Sequence, residues 1–377
     1  MKKADVVVIG GGIIGSFVSY YLGLRGLDVT LIEAGQLGNG ASGKCAGIHT
    51  TQLVQPIDIV LASRSKAAYE ELAGDSISRT GFISVEPSWM SAFSSELLAG
   101  AGVKHKIIDN SELRAWLSWM RVKDYEVAVY TPDDIVIDVS SLFKTLRGRL
   151  EEAGVELKEW IRVERIDPNR RVLDISGPEQ QVSFEKAVFS AGAWNREVLI
   201  NCGIWRVPVV VYACQIVSFK FDEEIQETPV FLEENHVYLR RFSRHTMLVG
   251  NGRAIKLSDP SECPSSPEYD FIEELSVKLY ERLQRPDSYR LVGGWTGVCS
   301  SSPDGNPLLG QIPGRRDLYI IDALDGYGLM RGPALSQDLA EYICGEGVAE
   351  SIRLFNPSRF NGYSGEPEEV IELHSRM

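Results

Sequence analysis

The residues best able to do chemistry lie near the start of the chain. Gly10-Gly11-Gly12-Ile13-Ile14-Gly15 places G-x-G-x-x-G at Gly10, Gly12 and Gly15, and an acid, Glu33, follows at the end of the next apolar run. The first glycine permits a tight turn, the second lets backbone approach a pyrophosphate, and the third lets helix pack closely on strand. A helix starting at that point offers free N–H groups and a positive dipole end to phosphate. An acid at Glu33 accepts hydrogen bonds from a ribose 2′-OH and repels a 2′-phosphate, which disfavours the phosphorylated nicotinamide cofactor. The motif alone leaves FAD and NAD open, and its position at the very start of the sequence favours FAD.

A second segment, Leu37 to Gly47, contains so many small residues that it reads as an irregular loop closely approaching a flat or extended ligand. The six cysteines form no Cys-x-x-Cys pair and the five histidines are scattered, so no zinc-type ligand set is visible and no metal is expected. The thiols read as reduced core fillers. No Gly-x-Ser-x-Gly elbow or phosphate-cradling Gly-x-x-x-x-Gly-Lys loop is present, and no spacing singles out a pair of acids.

The elements that must hold these residues follow from pattern. Val6 to Ile9 is a β-branched run suited to a strand buried on both faces. Ser16 to Arg25 reads as a helix stopped at Gly26, and Asp28 to Ile32 as the second strand. Helices are expected at Ile57–Leu72, Ser111–Met120, Ser140–Ala153, Asp270–Leu283 and Pro333–Ile343. Strands are expected at Arg79–Val85, Val127–Tyr130, Val155–Leu157, Trp160–Ile166, Glu185–Phe189, Val209–Lys220, Val237–Phe242, Met247–Gly250 and Leu318–Asp322. Strand-helix-strand segments at the start, near residue 150 and at the end, with strand-rich stretches between, imply a cofactor domain in three pieces and a second domain in two. The expected boundaries are 1–75, 135–205 and 285–365 for the first, 76–134 and 206–284 for the second, and a loose acidic tail at 366–377.

Composition sets the outer limits. The chain has 377 residues, 39 Lys+Arg against 52 Asp+Glu, and 44% hydrophobic residues. That is a globular chain of two-domain size whose acidity argues against nucleic acid as the main partner. No apolar run reaches membrane-spanning length and no secretory signal is visible, so the expectation is a cytoplasmic protein acting on something small.

Four blocks resemble the D-amino acid oxidase, glycine oxidase and sarcosine oxidase superfamily of FAD enzymes, with the sarcosine oxidase and dye-linked proline dehydrogenase branch most alike. They are Val7 to Gly15 with Glu33-Ala34-Gly35, Gly40-Ala41-Ser42-Gly43 through Ala46-Gly47, Ser190 to Trp194, and Pro303-Asp304-Gly305-Asn306-Pro307-Leu308-Leu309-Gly310. The resemblance implies an α/β protein (α+β overall), with a Rossmann-type FAD-binding domain plus a substrate domain built on a large mixed β-sheet. It implies that Gly10, Gly12, Ile13, Ile14, Gly15, Glu33 and Ala34 bind the ADP half of FAD. Ala41, Ser42, Gly43, Lys44, Ala46 and Gly47 would surround the pyrophosphate and ribityl chain. Val163 would meet the adenine through its backbone, and Ala191, Gly192 and Trp194 would pass beside the cofactor. Gly326, Tyr327, Gly328, Leu329 and Met330 would close the loop at the flavin pyrimidine edge.

The sequence departs from the family pattern at the substrate. Many members carry an arginine four residues before the Asp-Gly block to grip a carboxylate, where this chain has Cys299; the lysine others place in the final glycine loop corresponds to Met330, with Arg331 beside it. Lys44 stands near the histidine that tethers FAD in some relatives, so the FAD is expected to be non-covalent. Cations to pair with a substrate carboxylate are Arg331, Arg240, Arg253 and Lys44. Tyr238 matches a tyrosine that relatives place near substrate. Tyr327 lies between glycines, His49 is a candidate base or polar contact, and Trp295 is a candidate wall; His236 and His245 read as sheet residues. The resulting expectation is oxidation of the C–N bond of an amino acid or secondary amine (sarcosine-, proline- or glycine-like) by hydride transfer to flavin N5, giving an imine that hydrolyses. Electrons would pass to O2, a quinone or dye, or a partner subunit. Three alternatives stand beside it: an FAD-binding subunit within a hetero-complex or oligomer, an NAD dehydrogenase, and a flavoenzyme oxidising a 2-hydroxy acid or glycerol phosphate.

Overall fold

A computed structural model describes residues 2–363. The acidic tail expected at 366–377 lies outside the described residues. Strand β1, Lys2–Ile9, leads into helix α1, Ile13–Leu24, and strand β2, Val29–Ile32. Next come a single helical turn, α2 (Ala41–Lys44), the short strand β3 (Ile48–His49) and helix α3 (Pro56–Ala73). β1 is the buried run read from its valines: Val7 and Val8 have no exposed surface, and β1 pairs in parallel with β2 on one side and Gln181–Phe189 on the other. Gly26, at φ 77°, supplies the left-handed residue beyond the end of α1, a conformation that costs glycine little.

The first sheet has eight strands, with Val163–Asp167, Val172–Ile175, Gln181–Phe189, β1, β2 and Glu156–Lys158 in spatial order. Leu318–Asp322 adds in parallel to Gln181–Phe189, and Leu308–Gln311 adds in antiparallel fashion beyond it. One face of this sheet packs on α1, the helix Val139–Glu152 and the long helix Gly328–Cys344; Phe17, Leu22, Leu146 and Leu335 are fully buried there. Each such side chain contributes roughly 1.5–3 kcal/mol of burial.

The second sheet has nine strands. They run Ala254–Leu257, Val210–Phe221, Thr246–Gly250, Val237–Ser243, Val230–Leu232, Phe82–Pro87, Glu126–Thr131 and Lys106–Ile108, with Tyr289–Ser301 paired along Val210–Phe221. It is antiparallel except where Val230–Leu232 lies parallel to Phe82–Pro87. Alternate residues such as Ile83, Val85, Val230, Leu232, Val237 and Leu239 face one core, closed by helix Tyr269–Arg282 through Phe271, Leu275 and Leu279. A third, small sheet joins β3 to Ile135–Ile137 and Ile77–Ser78.

The pattern reading is corrected in four places. The glycine-rich loop at Ala41–Lys44 forms a helical turn. Ser91–Gly100, unassigned from sequence, is a helix. Tyr289–Ser301, unassigned from sequence, is a long strand of the second sheet, in which a Cβ on Gly294 would sit 2.5 Å from the Ile216 carbonyl oxygen. Glycine there reflects close backbone approach inside a strand. Finally, the last helix starts at Gly328 and carries Pro333 inside it. A proline in a helix interior frees the carbonyl four residues earlier. That carbonyl is Leu329, and it accepts the Tyr69 hydroxyl at 2.9 Å.

Candidate active site

Two helix N-termini meet at the carboxyl end of β1. The first turn of α1 packs against the first turns of Gly328–Cys344: a Cβ on Gly332 would lie 2.7 Å from Ile14 Cδ1, and Ser336 Oγ donates to the Ile14 carbonyl at 3.3 Å. Neither helix has an acid in its first turn or a side-chain cap from its N-cap residue. Unsatisfied N–H groups and two positive dipole ends are therefore directed at one place.

The glycines at this point are fixed by crowding. Gly10 has φ 103°, and a Cβ there would stand 2.6 Å from Ala191 Cα; on Gly15 it would stand 1.8 Å from the Gly10 carbonyl oxygen. Ser190 Oγ donates to the carbonyls of Ile9 and Gly10 at 2.9 and 3.1 Å, tying the third block to the first. Ser42 Oγ accepts from Ile13 N at 3.0 Å, so the α2 turn sits on the start of α1. The Glu33 carboxylate accepts from Gly11 N at 2.6 Å and Gly35 N at 2.7 Å, leaving further acceptor capacity at the end of β2. Ile161 N donates to the Glu33 carbonyl at 3.0 Å, which brings the approach to half-buried Val163 alongside. Ala34 is exposed at this rim, and Trp194 packs on Val211 and Val298 of the second sheet.

This donor set fits a dinucleotide: backbone N–H groups and dipoles for the phosphates, and a carboxylate for ribose hydroxyls. Gly326, at φ 78°, and Tyr327 lead into the second of the two N-termini, with Leu329 buried and Met330 half-buried in its first turn. Lys44 is exposed; its carbonyl accepts Trp295 Nε1 at 2.7 Å, and its Cβ lies against Gly297. Ala46 is half-buried and Gly47 buried, the latter close to Arg240.

The four cations proposed from sequence fare differently. Arg331 is buried; it donates to Asp58 Oδ1 at 3.1 Å and to the Leu324 carbonyl at 2.8 Å, and its guanidinium lies 5.0 Å from the Tyr327 ring. It is thus an answered charge. Arg253 pairs with Glu274 and Glu268 at a more exposed site. Lys44 projects toward solvent. Arg240 is only 9% exposed, yet it has no ion pair among the described residues and its Nε has no hydrogen-bond partner. Its guanidinium lies over the Phe242 ring at 5.7 Å, and burial pulls its pKa down.

Tyr238, two residues before Arg240 on one strand, shares its face. Burial raises its pKa, with the Cys214 and Cys45 thiols adding to the effect, so the hydroxyl stays protonated. Tyr327 is raised as well, first by burial. Cys299 sits opposite Tyr212 in the sheet, and Cys214 lies on the same face. All six thiols are free and half-buried; burial pushes Cys45 up to about 11.

His49 is fully buried, edge-on to Tyr69 with ring centroids 5.7 Å apart, and among the described residues neither ring nitrogen has a hydrogen-bond partner. Burial lowers its pKa to about 4, so it is neutral near pH 7. His236 adopts a left-handed conformation at φ 48°, and His245 contacts the Glu223 carbonyl. Sequence reasoning missed Asp58, Asp325 and Glu86. Asp325 accepts from the Tyr212 hydroxyl at 2.7 Å, and its position directly before Gly326 was the available signal. Among the described residues no group of three or more His, Cys, Asp or Glu is placed to hold a metal, and no helix is long and apolar enough to cross a membrane.

The glycine-bound crossing of β1 and α1, the acid ending β2 and the two convergent helix starts define a dinucleotide-binding oxidoreductase fold. A family profile described as "FAD dependent oxidoreductase" matches residues 5–342. The chain belongs to that family and is an FAD-using oxidoreductase. It is 24% identical to the glycine oxidase of Pseudomonas putida over 90% of this chain and 94% of that protein. It is 22% identical to the mitochondrial pyruvate dehydrogenase phosphatase regulatory subunit of Mus musculus, covering 95% of this chain but spanning only 43% of that protein's length. The solved structure of L-proline dehydrogenase from P. horikoshii superposes with a TM-score of 0.86 at 23% identity, covering 96% of this chain and 98% of that one. At that identity the likeness establishes the fold.

Proposed function

We propose that this protein oxidises the carbon–nitrogen bond of an amino acid or secondary amine, with the substrate carboxylate held by Arg240. The observation carrying this reading is Arg240 itself: a cation 9% exposed, with no ion pair among the described residues and only the more distant charge of Asp138 acting on it, beside Gly47 of the cofactor loop. A buried unpaired charge is costly, and a substrate carboxylate relieves that cost. The guanidinium offers a bidentate grip. Relatives named for glycine and for 4-methylaminobutanoate support the amine class.

Bound FAD supplies the two-electron oxidation. Gly10, Gly12, Gly15 and Ser42 would hold its phosphates, Glu33 its ribose, and the N–H groups from Gly328 onward would face the flavin pyrimidine edge, where they stabilise negative charge. Tyr238, with its proton retained, donates to the substrate and orients it. Tyr327, stacked on Arg331, and Trp295, fixed to the Lys44 carbonyl, limit water entry. A dry pocket lowers the pKa of the substrate ammonium and favours the neutral amine that reacts. The imine product leaves and hydrolyses in water.

The test is anaerobic bleaching of the visible flavin band of the FAD-loaded protein by amino acids, N-methyl amines and 2-hydroxy acids. Amines with a carboxylate should bleach it. Bleaching by 2-hydroxy acids alone, or a protein that retains no FAD, would overturn the reading.

A further inference from the structure

The face of the nine-stranded sheet opposite the Ile83–Leu239 core carries a second set of unanswered charges. Val230–Leu232 runs parallel to Phe82–Pro87 with Leu232 beside Val85, so the next step brings Glu233 beside Glu86. Phe231 lies opposite Tyr238 in the adjoining hairpin, and period-two alternation puts Glu86, Phe231, Tyr238 and Arg240 on this one face.

Glu86 is 3% exposed; Oε2 accepts from Ser94 Oγ at 2.9 Å, while Oε1 has no hydrogen-bond partner among the described residues. The half-buried Glu233 carboxylate makes no hydrogen bond or ion pair among the described residues. Burial raises Glu86 to about 7, against the Ser94 hydrogen bond and with the charge of Glu233 adding to the rise; burial also raises Glu233, against the neighbouring His236. The Glu233 charge is also felt at the Tyr327 hydroxyl, after burial and nearer charges. In the sheet register Glu233 lies one step beyond the Leu232–Val237 pair, four residues from the level of Arg240, so roughly 13 Å of backbone separates these carboxylates from the guanidinium before side chains reach inward. Two acids at one end and a lone arginine at the other match a ligand with a carboxylate and a distal cation.

We propose that Glu86 and Glu233 form a cation subsite, so that the substrate is a basic amino acid whose distal ammonium or guanidinium they bind while Arg240 holds its carboxylate. This rests on the amine-oxidising reading above and names its substrate class. A single cation between the two acids removes their mutual repulsion and gives the unpaired Glu86 oxygen a donor.

The experiment uses the FAD-loaded full chain. Lysine and arginine should bleach the flavin with kcat/KM at least about tenfold above norleucine, the neutral analogue of lysine, as expected for a charged hydrogen bond gained. Glu233→Gln should remove that preference while leaving norleucine unchanged, and Glu86→Gln should act alike. Binding is read independently by the flavin band shift on titrating 5-aminopentanoate against pentanoate, neither of which has an α-amine to oxidise. The aminated acid should bind about tenfold tighter. Norleucine oxidised as well as lysine, equal binding of the two acids, or a Glu233→Gln variant that slows all substrates alike would each overturn the subsite. If neutral amines bleach the flavin without preference, the subsite fails and amine oxidation stands; if no amine does, the amine-oxidising reading fails.

Discussion

At the scale of single residues, two arginines that look equivalent in sequence have opposite situations. Arg331 stands in the final glycine loop and is answered by Asp58, 273 residues away in the chain, whereas Arg240 has no ion pair among the described residues. Arg240→Met should therefore raise KM for a carboxylate substrate by about tenfold or more. Arg331→Met should leave KM near its starting value and lower the melting temperature, because Asp58 is left with an unpaired charge; losing one partner of a buried pair costs about 3 kcal/mol or more. Steady-state kinetics and thermal melts separate the two, and an unchanged KM in Arg240→Met removes it from the site. The distinction was not legible beforehand, since a side chain's partner is a property of the fold. What was legible was the vacancy created by Cys299, which directed attention to other cations.

At the scale of elements, local pattern read well where the cause is local. β1, α1 and Leu318–Asp322 follow from β-branched runs, a 3.6-residue period and glycine stops. Tyr289–Ser301 and the true start of Gly328–Cys344 were missed because Gly294 and Pro333 answer to distant partners, Ile216 and Tyr69. The contact of β3 with α3 has a measurable consequence. His49 is held neutral down to about pH 4 by burial, whereas an unfolded histidine titrates near 6.5. Between those values the unfolded chain binds a proton that the folded one refuses. The contribution of His49 to stability is complete above about pH 6.5 and is lost as pH falls toward 4. His49→Phe should flatten the decline in melting temperature between about pH 7 and 4.5; an unaltered slope would assign the effect to other groups.

For the whole molecule, separated segments are joined around the proposed cofactor site, so ligand binding and global stability should be linked. Stripping FAD should lower the melting temperature by several degrees, and adding it back at a thousandfold excess over Kd should restore roughly 4 kcal/mol. A melting temperature indifferent to FAD would mean that the site does not form as described. The large mixed sheets were legible from the order of strand-helix and strand-rich stretches, but the strand Tyr289–Ser301 was not, because its glycines answer to a neighbouring strand. The same long-range closure bears on how the protein is made. Ser336 meets the Ile14 carbonyl across 322 residues, and Trp295 meets the Lys44 carbonyl across 251. At roughly 5–20 residues per second of synthesis, the glycine turn leaves the ribosome tens of seconds before the helix that completes it. On the proposed placement of FAD, the nascent chain would carry half of that site for most of translation, and cofactor capture would await the helix that completes it.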